Sequence, residues 1–164
     1  LIAIEPNLSD IASGKAHGTL FISDCFDSWD LIATSEPENR QRLALLTTLY
    51  GWISASDRQY IFNNNPPRLI HSVDHGHFFP GGPNWIETDL NQAPSAELDP
   101  ELSSICSLTL DEVKQALLAL KAVTEETIIQ AVGSLPSEWG LTIDERVTMV
   151  AYLIRRQQEL LALL

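Results

Sequence analysis

Cysteine is nearly absent from this chain of 164 residues: Cys25 and Cys106 lie far apart, and no CxxC pair occurs. Neither a disulfide framework nor a thiolate zinc site is expected, and a reducing compartment, the cytoplasm, fits this usage. Positive charge is scarce as well. Ten Lys and Arg residues stand against 22 Asp and Glu, a net charge of −12 at pH 7. That balance repels phosphate backbones and anionic headgroups and excludes non-specific nucleic-acid binding. No apolar run approaches the roughly 20 residues of a membrane span; runs such as Leu43–Leu46 fall far short of it. No basic segment precedes an apolar one in the manner of a secretory signal, and no repeat recurs at a fixed period. What the chain does have is apolar material for a core, 45% of its residues, enough for one compact domain over residues 1–164 and too little for two. It opens on Leu1 rather than Met, so further residues are expected upstream.

The pattern along the chain predicts an α+β fold that is mainly helical with a small sheet. Residues 1–38 mix short apolar pieces with turn residues, giving a strand near Gly18–Ser23 and a short helix near Cys25–Ile32. Leu43, Leu46, Leu49 and Tyr50 recur at three- and four-residue spacing, which predicts a buried helix from Pro37 to Trp52 or Ile53 with Asn39 as its cap. Ser54–Pro67 reads as a loop, because Asn63-Asn64-Asn65-Pro66-Pro67 joins turn formers to residues that lack a backbone donor. A strand over Arg68–Val73 follows, broken by Asp74-His75-Gly76. Asn84-Trp85-Ile86 opens a short helix before a linker from Pro94 to Pro100, and the rest reads as helical. Thr109-Leu110-Asp111-Glu112 has the form of a helix start, with Val113, Ala116, Leu117 and Leu120 on one face. A further helix follows Thr124 and ends near Gly133. The last, from Thr142 to Leu164, places Val147, Val150, Ala151, Ile154 and Leu161 on its inner face and Arg155 and Arg156 in solvent.

The chemistry-bearing stretch runs from Gly51 to Asn63 and resumes at Asp74. A helix delivers Asp57 into a loop that carries amide side chains, and a short strand delivers a second carboxylate just before Gly76. Phosphoryl transfer uses this layout: one Asp orients the acceptor hydroxyl and takes its proton, the second holds Mg²⁺, and an Asn between them completes the metal shell. Spacing alone leaves open a plainer reading, in which Asp57 and Arg58 cap a helix and Asp74-His75-Gly76 is a turn.

The runs Ser56-Asp57-Arg58-Gln59 and Ser72-Val73-Asp74-His75-Gly76-His77-Phe78-Phe79-Pro80, with Trp85 downstream, resemble the HipA-like and phosphatidylinositol 3-/4-kinase-like superfamily. The Asp-His-Gly-x-Phe-Phe-Pro run looks closest to small bacterial HipA-like kinase domains. The matching motifs cover roughly residues 50–86. The resemblance implies a protein-kinase-like large lobe with a small β-hairpin or sheet at the cleft, residues 1–38 lying near the hinge, 39–86 forming the catalytic core and 98–164 a helical tail. The small lobe would be supplied upstream or by another chain. It implies an ATP- and magnesium-dependent phosphotransferase, with a protein Ser or Thr hydroxyl as the acceptor by resemblance to HipA-like members and a lipid headgroup as the alternative by resemblance to the phosphatidylinositol kinases. Asp57 corresponds to the catalytic-loop Asp, braced by Arg58, and Asp74 to the metal-binding Asp, assisted by Asn63. Gln59, His75 and Gly76 are the residues expected against the nucleotide. Two positions depart from the family pattern. Where relatives often carry Asn five residues after the catalytic Asp, this chain has Phe62, with Asn63 next, so the loop bulges or Gln59 serves instead. No small-lobe Lys is recognisable: Lys15 follows Gly14 without a full phosphate-binding loop, and Leu1–Glu5 takes the place of the hinge.

Other readings of the same residues are weaker. His71, His75 and His77 beside Asp74 offer a zinc set without an evident fourth ligand. Ser56 or Ser72 as a hydrolase nucleophile lacks a GxSxG elbow. Trp52, Phe78, Phe79, Trp85 and Trp139 read as core, and Cys25 and Cys106 as packing residues. The alternative to an enzyme is a pseudokinase or protein-interaction module whose partner surface includes Leu160–Leu164.

Overall fold

The computed structural model describes residues 21–28 and 30–164. Three antiparallel strands form a sheet in the order β1 (Cys25–Asp27), β2 (Gln59–Asn63), β3 (Ile70–Val73). Among the described residues six α-helices accompany it: α1 (Pro37–Ile53), α2 (Glu87–Asn91), α3 (Pro100–Cys106), α4 (Leu110–Lys121), α5 (Glu125–Gly133) and α6 (Ile143–Leu161). The class is therefore α+β and mainly helical, as the sequence pattern predicts. Lys15, the segment Leu1–Glu5 and most of the expected Gly18–Ser23 strand lie outside the described residues; Phe21–Ser23 are not strand. No helix among the described residues is long and apolar enough to cross a membrane.

Strand β2 occupies the middle of the expected Ser54–Pro67 loop. Its Tyr60 and Phe62 alternate inward while Gln59, Ile61 and Asn63 face outward, the period-two pattern of a half-buried strand. The expected helix over Cys25–Ile32 is corrected: no described residue of that span is helical, and Cys25, Phe26 and Asp27 form β1, paired with Asn63, Phe62 and Ile61. Cross-strand pairing and the contact of Phe26 with Phe62 override the local pattern there. Strand β3 starts at Ile70 rather than Arg68, which adopts φ 54°. Helix α2 begins at Glu87, after a tight 3₁₀ turn over Gly82–Asn84.

Helix α1 has the expected extent, but its cap is Glu36 followed by Pro37, the proline standing where no backbone donor is needed. Asn39 does something else. It is fully buried, its amide nitrogen donates to the carbonyls of Ala33 and Arg68, and its oxygen accepts from the Ile70 amide at 2.9 Å. The start of α1 is thereby tied to the start of β3. Leu43, Tyr50, Phe62, Ile70, Leu90 and Leu102 are the fully buried apolar side chains of the main core, and Leu117 and Leu160 close a smaller cluster where α4 meets α6.

The three threonine starts behave as capping chemistry dictates. Thr109, Thr124 and Thr142 each accept from the amide three residues on, and Glu112 and Glu145 return the bond to close capping boxes. Helix α4 buries Ala116, Leu117 and Leu120 as expected. Helix α6 is rotated from the expected face: Met149, Tyr152, Leu153, Arg156, Gln157 and Leu160 are buried, the expected Val150, Ile154 and Leu161 pack partly buried against the core, and Val147 and Ala151 are exposed. The expectation that Arg156 lies in solvent is thus corrected. It is 3% exposed, with Nη2 bonded to the Gly51 carbonyl, Nε to that of Trp52 at 2.7 Å and Nη1 to that of Pro94. Arg155 likewise reaches the Leu90 and Ala93 carbonyls. Of the aromatic side chains expected inside, Trp52, Phe79 and Trp85 pack against the core and Phe78 is in it, while Trp139 is 41% exposed. Cys106 is buried and Cys25 half-buried.

Replacing Arg156 by Met is expected to cost on the order of 3 kcal/mol, because charge-assisted bonds to three carbonyls are lost and those carbonyls stay desolvated. Arg156→Lys recovers only part, since an ammonium cannot span them. Urea denaturation measures both, and an unchanged midpoint for Arg156→Met contradicts the assignment. A second expectation concerns acid. Arg40, through two bonds, and the Thr109 amide hold the Glu112 carboxyl down at about 2. A depressed carboxylate contributes stability that is complete above its usual value of 4.5 and is lost as pH falls through the folded-state value. Glu112→Gln should therefore flatten the loss of stability between about pH 4.5 and 2, read from urea midpoints across that range; parallel curves for variant and parent would contradict it.

Candidate active site

The site begins where α1 stops. Ser54 takes a left-handed conformation, φ 61°, and its amide bonds back to the Tyr50 carbonyl, as does that of Ala55. This turn ends the helix and aims Ala55–Arg58 across the molecule. Ser56 then donates twice to the carbonyl of His77, from its amide at 3.1 Å and its hydroxyl at 2.9 Å. The Asp57 loop is thus fastened to the 3₁₀ turn His75–His77.

Register completes the convergence. Gln59 opposes Val73 across β2 and β3, so the residue two places before Gln59 and the one following Val73 fall at the same end of the strand pair. Those residues are Asp57 and Asp74. The Gln59 amide nitrogen donates to Asp57 Oδ2 and to Asp74 Oδ2, each at 3.2 Å, which places the two carboxylate oxygens within twice that distance of each other. Asp57 is half-buried and Asp74 exposed. Asp74 sits at φ 52° and ψ 71°, a left-handed conformation that Asp tolerates better than most residues. A Cβ on Gly76 would approach nothing nearer than Asp74 Oδ1, at 3.7 Å, so space is open beside the carboxylates.

Arg58 points away from this pair. Its Nε bonds Asp99 Oδ2 at 2.7 Å, Nη2 reaches the same oxygen, and Nη1 pairs with Glu101. Asp99 is 2% exposed and also caps α3 through the Leu102 amide, so Arg58 fastens the loop to the start of α3. Asp99 was not legible as a site residue: Asp99-Pro100 signals a helix start, but nothing local announces a partner 41 residues earlier.

His75 is placed by a chain of hydrogen bonds. Burial raises the Tyr50 hydroxyl above its usual range, so it stays protonated and donates to Ser72 Oγ at 2.5 Å. Ser72 Oγ in turn meets His75 Nε2 at 2.9 Å, and the imidazole lies on Phe78 with ring centroids 4.3 Å apart. Asn63 stands at the opposite end of β2, roughly 13 Å along the strand at its usual rise. Its amide holds Cys25 Sγ, and its oxygen meets His71 Nε2. The structure therefore brings together Asp57, Gln59, Asp74 and Gly76, holds the His75 imidazole on Ser72 and Phe78, sets Arg58 behind the pair, and leaves Asn63 apart. The histidines do not gather either: among the described residues no three His, Cys, Asp or Glu side chains form a metal-ligand set. The described lysines, Lys114 and Lys121, both lie on α4.

No protein-family model matches this chain, and neither curated proteins nor solved structures yield a significant match.

Two carboxylates sharing one neutral donor repel by ~0.7 kcal/mol at about 6 Å in a water-like dielectric. Asp74→Asn is expected to raise stability by roughly that amount, and Gln59→Ala to lower it by about 1 kcal/mol through loss of the shared donor. Guanidinium denaturation of the two variants checks the pair. A destabilised Asp74→Asn would show that the carboxylates are not mutually repulsive neighbours.

Proposed function

We propose that this chain is a phosphotransferase of the HipA-like type, the large lobe of a kinase-like enzyme that transfers the γ-phosphoryl group of ATP to a protein Ser or Thr hydroxyl. The observation that supports this reading above others is the Gln59 amide shared by Asp57 and Asp74. Two carboxylates from separate elements meet at the end of a strand pair, beside an open glycine turn.

The donor set suits Mg²⁺, which prefers oxygen ligands and binds through one or two carboxylates while keeping its remaining positions for water and phosphate. Asp74, next to the Gln59 amide, would hold the ion. When bound it neutralises charge on the phosphate oxygens. Asp57 then orients the acceptor hydroxyl and takes its proton. Arg58, locked on Asp99, fixes the loop that carries Asp57, and His75 and Gly76 line the side on which the nucleotide lies. Asn63 has no part in this arrangement; Gln59 supplies the amide. Most of the acceleration would come from positioning, since phosphoryl transfer leaves little covalent work to the protein.

A second reading is a module that keeps the kinase architecture without transfer. One pair of measurements separates the two. For the enzyme, ATP with Mg²⁺ raises the melting temperature in a saturable way, and Asp57→Ala retains the unliganded melting curve while losing transfer by about 10²–10⁴-fold. Undiminished transfer by Asp57→Ala rules out the assignment of Asp57, and a melting curve unmoved by ATP and Mg²⁺ favours the module.

A further inference from the structure

Away from the carboxylate pair, a groove of about 500 Å³ lies between α1, α4 and β3, within the range of small-molecule sites. Leu45, Leu49 and Trp52 of α1 form one wall, and Ala116, Leu120 and Val123 the other. Leu45 and Leu49 remain 39% and 37% exposed, although α1 is otherwise a core helix. Among the described residues no Asp or Glu lines the groove, while Arg42 and His71 stand together at its β3 end.

Arg42 differs from Arg40 and Arg58 in its partners. Arg40 pairs with Glu112, and Arg58 with Asp99 and Glu101. Arg42 has no carboxylate partner among the described residues; the hydrogen bond it makes is one from Nη1 to the Ile70 carbonyl, at 3.2 Å. A guanidinium carries five donors in a planar fork that matches a carboxylate with two parallel bonds. His71 has Nε2 engaged by Asn63, which leaves Nδ1. In a chain of net charge −12, a cation without a carboxylate partner among the described residues, at the end of an apolar groove, is a complement to an anion with a hydrocarbon tail.

We propose that this groove binds an aliphatic monocarboxylate, its chain lying between α1 and α4 and its carboxylate paired with Arg42. The site is separate from the carboxylate pair and does not depend on the phosphotransferase reading.

Titration calorimetry of the intact chain with decanoate, kept below its micellar concentration, tests this against decan-1-ol, which has the same tail and no charge. Saturable binding of decanoate is expected, with decan-1-ol at least tenfold weaker. Arg42→Gln should lower decanoate affinity at least tenfold, to the level of the alcohol. Ala119→Phe, which places a ring in the groove from an exposed position on α4, should abolish binding of both. Arg42→Lys serves where Arg42→Gln does not fold, and should give an affinity lower than the parent's because the ammonium cannot form the paired bonds. No saturable heat with decanoate, equal affinity for acid and alcohol, an affinity unchanged in the Arg42 variants, or binding undisturbed by Ala119→Phe would each overturn the proposal.

Discussion

The end of α1 is held by α6, and the placement of everything at the candidate site follows from that contact. An α-helix leaves its last four carbonyls without partners inside the helix. In α1 these belong to Tyr50, Gly51, Trp52 and Ile53. Tyr50 is served by the Ser54 and Ala55 amides, Gly51 and Trp52 by Arg156, and Ile53 by the Tyr152 hydroxyl. Trp52 answers with its own indole nitrogen on the Leu153 carbonyl at 2.8 Å. A cation at a helix C-terminus is favoured by the dipole as well as by the bonds, and here it is desolvated, which strengthens both. The contact also demands a small residue. A Cβ at Gly51 would stand 2.1 Å from the Glu97 carbonyl oxygen, so the Pro94–Asp99 segment crosses α1 at this point because nothing larger is there, and the same Arg156 fixes that segment at Pro94.

The other end of α1 is tied just as firmly, by a different device. Asn39 joins the Ala33 and Arg68 carbonyls to the Ile70 amide, so the helix is registered against the first residue of β3. With both ends fixed, the sheet has little freedom to slip. A one-residue shift of β3 against β2 would move Asp74 away from Gln59 and turn Ile70 out of the core. The separation of Asp57 and Asp74 is thus set by a clamp at each end of one helix and by strand register between them. A site that works by positioning needs support of this kind.

Local physics was readable in the sequence, and long-range physics was not. Thr109, Thr124 and Thr142 announced their helices because a cap and its target lie three residues apart. The extent of α1 and the Asp57–Asp74 pair were visible for a similar reason, as a helix, a short strand and two carboxylates in a recognisable order. Asn39 resembled a cap because its partners, Arg68 and Ile70, lie 29 and 31 residues away. Arg156 looked like a solvated cation for the same cause, its carbonyls lying more than 100 residues back. On α6 two apolar stripes compete, one through Val147, Val150 and Ile154 and one through Met149, Leu153 and Leu160. Helical periodicity cannot choose between stripes of similar strength. Strand β2 was masked by its flanks, polar Asp57-Arg58-Gln59 before it and the Asn and Pro run after it.

The choice of residue between the carboxylates carries a last consequence. A lysine or arginine in the place of Gln59 would hold Asp57 and Asp74 more tightly, and would also cancel their charge and fill the space between them. The cation nearest in sequence, Arg58, is instead drawn away to Asp99 and Glu101. A neutral amide fixes the geometry with two donors and leaves both negative charges in place. The result is locally unfavourable for the protein alone, since like charges stand close with only a shared hydrogen bond to offset them. Such an arrangement is tolerated when the surrounding scaffold over-determines it, and the clamps at the two ends of α1 supply that scaffold. The field of the pair is then directed outward, past Gly76, toward whatever positive charge approaches the open turn.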